Sequence, residues 1–455
     1  VYALAKEQNL PVFDVYRDSG LSEKNETLMQ PNDGLHFGGV GYSTLAAFVT
    51  NELKLLVSGK LDALSASEET DKADTEFLST IEYPAFSLCD GKYKTFGRWF
   101  KKTVNGAECD VTTTTGSQIF FLTNGATTFT VDFKDETQCK SAKPYFAVSI
   151  DGGEPTRCPI TENTITLPDA SRHAVWLFMD GLYEREDKWN GEVGFAVAGI
   201  SVNAGTMRAI EPTNDIVFYY GDSITEGVNA LGTTTDGASN SATGSYAYFS
   251  ARELSAIPYY IGYGESGLVR PGSFKEMKTA IEYLSANKMV DLSVVPSYIV
   301  INHGYNDAYS SSTVPAITSE EFSSALAETL ELLNKVYPDT EIFYIIPING
   351  SYREEIYAAE EKYENLSVIE TKDLSITKHD GIHPDKESAE RMGKAAAEAV
   401  RKIQSRTHVF DSYITYRSTL QNTAKVLRDE KKLTVAYFGG SVTAGYGDYD
   451  FDTGG

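Results

Sequence analysis

The chain has 455 residues, too many for one ordinary hydrophobic core, so about two to four domains are expected. Its 40 basic and 64 acidic side chains give a net charge of -24, which argues against nucleic acid or an anionic membrane as a partner, since either would repel it. A hydrophobic share of 41%, with no apolar run near the roughly 18 residues of a membrane helix, is the composition of a soluble globular protein.

In chain order, residues 1–56 carry a helical pattern, a strand-like run, the pair Asp33 and His36 in "NDGLHF", and a closing helical pattern. The chain opens at Val1 inside what reads as a domain, so it makes no statement about a targeting segment. Residues 57–78, which contain "LDALSASEETDKADTE", are polar and acidic and read as a linker. From 79 to 210 come short alternating runs, among them "SQIFFLTN", "TTFTVDF", "YFAVSID" and "HAVWLFM", separated by Gly, Asn, Asp and Pro. That pattern predicts an all-β sandwich. Its four cysteines, Cys89, Cys109, Cys139 and Cys158, permit two disulfides in three pairings, or four buried thiols packing as small hydrophobes. No Cys-x-x-Cys or His-x-x-x-His spacing points to a metal site.

Residues 211–406 alternate strand-like runs with helical patterns. "DIVFYYGDS", "IPYYIGYG", "PSYIVINHG", "EIFYIIPING" and "NLSVIET" are the strand candidates. Helical spacing of apolar residues marks "SYAYFSARELSA", "FKEMKTAIEYLSAN", "EEFSSALAETLELLNKVY", "REEIYAAEEKYE" and "KESAERMGKAAAEAVRKI". Strict alternation predicts an α/β domain, a central parallel sheet covered by helices on both faces. Ligands of such sheets bind beyond the carboxyl ends of the strands, so the residues just after each strand are the ones to inspect.

After the first strand comes Gly221-Asp222-Ser223. Ser223 at a helix start fits a nucleophile, because orphan N–H groups there stabilise an oxyanion; Asp222 and Ser223 also fit a plain helix cap. The glycine-rich "GYGESG" follows the second strand, "HGYND" the third, and "HDGIHPD" the last. Each of these has an ordinary explanation as a turn or cap, but together they supply acyl-transfer chemistry. His383 can act as base to Ser223, and Asp380 can fix the imidazole tautomer. The Ser223 N–H, the Gly267 N–H and the Asn306 amide can serve a tetrahedral oxyanion.

On these motifs, residues 214–405 resemble the SGNH (GDSL) hydrolase superfamily. Its serine block matches at "GDSIT", its Gly-x-Asn-Asp block at Gly304–Asp307, and its Asp-x-x-His block at Asp380–His383. The glycine block is degenerate; Gly267 in "ESG" fits it, with Gly264 as the alternative. A jelly-roll domain directly before the SGNH domain, with "GRWF" near its start, resembles carbohydrate esterase family 2. The resemblance implies a secreted or cell-surface bacterial serine esterase that removes O-acetyl groups from plant polysaccharide and needs no cofactor and no metal. It also offers Trp99, Trp176 and Trp189 as sugar platforms, against core packing as the plain alternative. A lipase or thioesterase of the same superfamily, or a carbohydrate-binding protein with an inactive hydrolase domain, are the competing functions.

The chain ends resemble pieces of the same domain. Residues 1–56 parallel the closing part of 211–406 and place Asp33 and His36 opposite Asp380 and His383. Within 407–455, a linker helix and then "KKLTVAYFGGSVTAGYG" parallel the opening part and place Ser441 opposite Ser223. The expectation is a partial second SGNH-like copy split between the two ends, with neither fragment holding a complete site.

Overall fold

The structure, a computed structural model, describes residues 68–135, 143–191, 194–338 and 340–411. The first described element is a helix, α1 (Glu68–Leu78), where a linker was expected over 57–78, of which 57–67 lie outside the described residues. Asp74 explains the difference. Its buried carboxylate accepts from Arg172 at 2.7 Å and Arg208 at 3.1 Å, and Leu78 enters the core a turn later. The acidic helix is thus docked by two arginines far away in sequence and by the apolar residues at its end.

A β-rich region follows. It runs β1 (Phe86–Leu88), β2 (Lys94–Phe96), β3 (Phe100–Val104), β4 (Ala107–Thr112), β5 (Gln118–Asn124) and β6 (Thr128–Asp135). It continues with β7 (Tyr145–Ile150), β8 (Thr156–Pro159), β9 (Thr164–Thr166), β10 (His173–Gly181), β11 (Phe195–Val202) and β12 (Thr206–Pro212). Among the described residues these make two antiparallel sheets, one ordered β1-β12-β5-β10-β7-β8 with β2 also on β5, the other β3-β4-β11-β6-β9.

The core between the sheets takes alternate residues of each strand. Ile119 and Phe121 of β5, with Val175 and Leu177 of β10, face Phe129 and Val131 of β6 and Phe195 and Val197 of β11. The intervening Phe120, Leu122, Trp176 and Phe178 point the other way, and they too are buried, against Leu78, Ile81, Tyr248 and Ile257. Burial on both faces explains why β10 reads as nearly continuous apolar sequence rather than a clean alternation. Each large apolar side chain so buried contributes about 1.5–3 kcal/mol.

The α/β region comprises β13 (Ile216–Gly221), α2 (Ser223–Glu226), α3 (Tyr246–Glu253), β14 (Ile257–Gly262), α4 (Met277–Glu282), β15 (Tyr283–Ser285) and β16 (Lys288–Met289). After these come β17 (Tyr298–Asn302), α5 (Ser319–Val336), β18 (Glu341–Ile345), α6 (Arg353–Lys362), β19 (Leu366–Ile369) and α7 (Lys386–Asp411). Among the described residues, a five-stranded parallel sheet is ordered β14-β13-β17-β18-β19. One face, with Phe218, Ile299, Ile301 and Tyr344, packs on α4, α5 and α6 through Met277, Leu326, Leu330 and Ile356. The other, with Val217, Tyr219, Val300 and Phe343, packs on α3 and α7 through Ala247, Ala251, Met392 and Ala396. Three layers result. Thr318 starts α5 with a capping box closed by Glu321, a device worth about 1 kcal/mol.

One expected helix is cut short. The pattern over 274–287 predicts continuous helix, but α4 ends at Glu282 and Tyr283 begins β15. Tertiary bonds capture the backbone there: Arg98 donates to the Tyr283 carbonyl, and the Ala286 N–H donates to the Trp189 carbonyl at 2.8 Å. Both partners come from the β-rich region.

Candidate active site

Strand order reverses around β13, whose neighbours β14 and β17 both follow it in sequence. A crevice opens at such a switch point beyond the carboxyl ends of the strands. Gly221 closes β13, and Asp222 caps α2 with its Oδ1 accepting the Ile224 N–H at 2.9 Å. Capping therefore falls to Asp222, and the Ser223 hydroxyl is turned elsewhere. It lies 2.8 Å from His383 Nε2. The helix is a single turn because Gly227 ends it at φ +85°, where a Cβ would lie 2.0 Å from the Ser241 carbonyl oxygen.

Asp380 holds the other side of the imidazole. Its Oδ2 lies 2.6 Å from His383 Nδ1, while Oδ1 accepts the N–H groups of Ile382 and His383 at 3.0 and 2.8 Å. Partial burial works to raise the Asp380 pKa, but these donors and the Asn229 amide outweigh it and hold the carboxyl well below the usual range. For His383, burial lowers the pKa and Asp380 restores part of the loss, leaving it below the ordinary imidazole value. At neutral pH the ring is therefore neutral, with Nε2 able to accept the serine proton.

The glycine loop is built differently from expectation. The Gly267 N–H donates to the Arg270 carbonyl at 2.8 Å, and the Gly264 N–H donates to Glu226 Oε2 at 2.7 Å. Both donors are engaged within the protein. Gly267 answers a packing need instead: a Cβ there would sit 2.3 Å from Asp307 Oδ1. That buried carboxylate accepts the N–H groups of Leu268, Val269 and Arg270 at 2.8, 3.0 and 3.1 Å, so Asp307 caps backward onto the loop rather than forward. Asn306 is half-buried, and its Nδ2 donates to the Ser266 carbonyl at 2.9 Å and to Asp222 Oδ2 at 3.3 Å.

Behind Ser223 lies a buried charged cluster that no motif announced. The Lys188 ammonium donates to Glu226 Oε1, both side chains being essentially inaccessible to solvent. Glu184 is buried against Gly264, and burial, then the charges of Glu226 and Glu265, push its pKa up to about 7. Asp222 is likewise pushed up to about 7, by burial first and by the charge of Asp307 among others. The one hint in sequence was acidic residues crowded around "YEREDK" and "SITEG".

The tryptophans are mainly packing residues. Trp176 is buried with its indole N–H on Gln118 Oε1 at 3.0 Å, and Trp189 packs edge-on against Phe274 and Tyr283. Trp99 is half-buried and donates to the Phe96 carbonyl at 3.0 Å. Among the described residues no two cysteines are bridged: Cys89 and Cys158 are free thiols, and buried Cys109 directs its sulfur toward the Ala107 carbonyl. Cys139, Asp33, His36 and Ser441 lie outside the described residues.

A three-layer α/β region with Ser, His and Asp at its switch point, joined to two antiparallel sheets, is the layout that the SGNH resemblance implies. No family model and no curated protein matches the sequence. Solved structures do. A carbohydrate esterase family 2 enzyme with a carbohydrate-binding domain, from Corynascus thermopiles (Myceliophthora fergusii), is 19% identical with a TM-score of 0.56, covering 69% of this chain and 99% of its own. A family two carbohydrate esterase from Clostridium thermocellum, in complex with cellohexaose, is 20% identical with a TM-score of 0.55 over 69% of this chain and 99% of its own. An acetyl xylan esterase from the rumen bacterium Butyrivibrio proteoclasticus is 18% identical with a TM-score of 0.56 over 70% of this chain and 98% of its own. The protein shares the fold of these family 2 carbohydrate esterases.

Proposed function

We propose that the protein is a serine esterase of the carbohydrate-esterase type, removing O-acetyl groups from plant cell-wall polysaccharide of the xylan or mannan kind. The observation that carries this is the continuous line Ser223 Oγ, His383 Nε2, His383 Nδ1, Asp380 Oδ2, with spacings of 2.8 and 2.6 Å. Support for the substrate class comes from the shared fold, a β-rich domain that we take as a jelly roll, and the acetyl xylan esterase among the similar structures.

His383 takes the Ser223 proton as Oγ attacks the acetyl carbonyl. The oxyanion is received by the Ser223 N–H and the Asn306 amide, which exchanges its 3.3 Å contact with Asp222 for the substrate oxygen. Collapse expels the sugar hydroxyl, which takes its proton from His383. Water, deprotonated by the same ring, then cleaves the acetyl-serine and releases acetate. Asp380 stays ionised throughout and steadies the imidazolium. Acetylated polysaccharide is thus the partner, and a secreted or cell-surface location follows from it; among the described residues no helix is long and apolar enough to cross a membrane.

The test is turnover of p-nitrophenyl acetate and acetate release from acetylated xylan and mannan. Ser223→Ala is expected to lower kcat by at least about 10^3-fold. Undiminished turnover in that variant sinks the proposal. A preference for long acyl chains over acetyl would move the substrate to a lipid or thioester, and polysaccharide binding without hydrolysis would leave only a binding function.

A further inference from the structure

We propose that Asn229 is a positioning residue for the catalytic triad, through which the β-rich region steadies Asp380. The proposal rests on Ser223, His383 and Asp380 acting as described above. Asn229 is fully buried, and every polar group it carries is in use. Its Nδ2 donates to Asp380 Oδ2 at 2.8 Å, the same oxygen that meets the imidazole. Its Oδ1 accepts the Thr235 N–H at 2.8 Å, its N–H donates to Asn240 Oδ1 at 2.9 Å, and its carbonyl lies 2.7 Å from His379 Nδ1.

The amide carries its donor and its acceptor on one planar group, so Asn229 reaches the Asp380 carboxylate and the Thr235 backbone N–H at once. The backbone at Asn229 has φ +54°, a region asparagine tolerates and most residues avoid. Both demands select the same residue type.

The line continues outward. Asn240 Nδ2 donates to the Leu182 carbonyl at 2.7 Å, just past β10. Around it, buried Asp180 accepts from Ser241 Oγ at 2.9 Å and the Thr243 N–H at 2.7 Å, and it pairs with Arg157. Arg157 in turn donates to the carbonyls of Gly237 and Asn240 at 2.7 and 2.6 Å. The segment 229–243 is thereby fastened to the β-rich region at one end and to the triad at the other. Two backbone N–H groups fix Asp380 Oδ1; Asn229 fixes the oxygen the imidazole uses.

Asn229→Gly keeps the left-handed backbone and removes the amide. With p-nitrophenyl acetate, kcat is expected to fall about 10- to 100-fold, as for loss of a hydrogen bond to a charged group, with KM nearly unchanged. The acid limb of kcat/KM should move to higher pH, because Asp380 with one donor fewer attracts the imidazolium more strongly. Asn229→Asp fills the same space and can donate only while its carboxyl shares a proton with Asp380. It should therefore be active only in a window above the His383 limb, and lose activity at higher pH on a descending limb absent from the wild type. Wild-type kinetics and pH profile in Asn229→Gly overturn the proposal, as does a lowered Tm with no change in the limb. If Asn229→Gly does not fold, an unaltered profile in Asn229→Asp overturns it. Ser223→Ala, measured alongside, separates the two ideas: if it is inactive while Asn229→Gly is unaffected, only the positioning role falls.

Discussion

Lys188 and Glu226 form an ion pair with no solvent access, one partner from the segment after β10 and the other from the helix that carries Ser223. Glu226 also accepts the Gly264 N–H at 2.7 Å, so one carboxylate joins the β-rich region, the helix of Ser223 and the glycine loop.

Removing one partner strands the other. Lys188→Met should cost about 3–5 kcal/mol of stability, measured by denaturant unfolding, because Glu226 is left as an uncompensated buried charge. Adding Glu226→Gln should restore part of that loss, since no charge then remains buried. A single variant as stable as wild type would show that the pair contributes nothing.

Glu184 should make stability fall with rising pH. In the unfolded chain it ionises near its ordinary 4.5, and in the fold near 7. Below about pH 4.5 it is neutral in both states and carries no penalty. As pH climbs to 7 the unfolded state alone gains the charge, and the fold loses on the order of 3 kcal/mol. Glu184→Gln removes that slope, so its Tm advantage over wild type should widen across this window. Some slope persists from Asp222, whose pKa is pushed up to about 7. A Tm difference independent of pH would contradict the assignment.

The pH profile of ester hydrolysis should reflect a depressed His383. Protonation of the ring removes the base, so kcat/KM falls as pH drops, with a midpoint below about 6.5. Asp380→Asn removes the charge that favours imidazolium, so the midpoint should drop further while kcat falls on the order of 10^3- to 10^4-fold. A midpoint that rises in that variant would mean another group sets the limb.

The sheet was legible because β13, β14, β17, β18 and β19 each carry apolar residues for both faces and end in chemically distinctive loops. Ser223, Asp380 and His383 were legible for the same reason, although 160 positions separate the serine from the histidine. Pairings between regions were not. Glu226 lies inside the serine motif, yet nothing in the sequence points from it to Lys188. Asp74 sits in an apparently featureless acidic stretch, and nothing in that stretch points to its distant partners Arg172 and Arg208. Residues 283–286 keep helical spacing but yield to backbone partners supplied by Arg98 and Trp189. Gly267 shows a subtler gap. Its motif position indicated an oxyanion donor, while its surroundings show a glycine demanded by the Asp307 carboxylate.

Gln118 bears on modular exchange. Its amide takes the Trp176 indole N–H on one side and donates to the Pro258 carbonyl of β14 at 2.6 Å on the other, amid an apolar seam of Phe120, Phe178, Tyr248 and Ile257. A chain trimmed to 211–406 would bare that seam to water and leave the Pro258 carbonyl without its donor. Swapping the β-rich portion for a foreign one, as is done with tethered binding modules, would do the same harm. The two regions should therefore unfold together rather than one after the other.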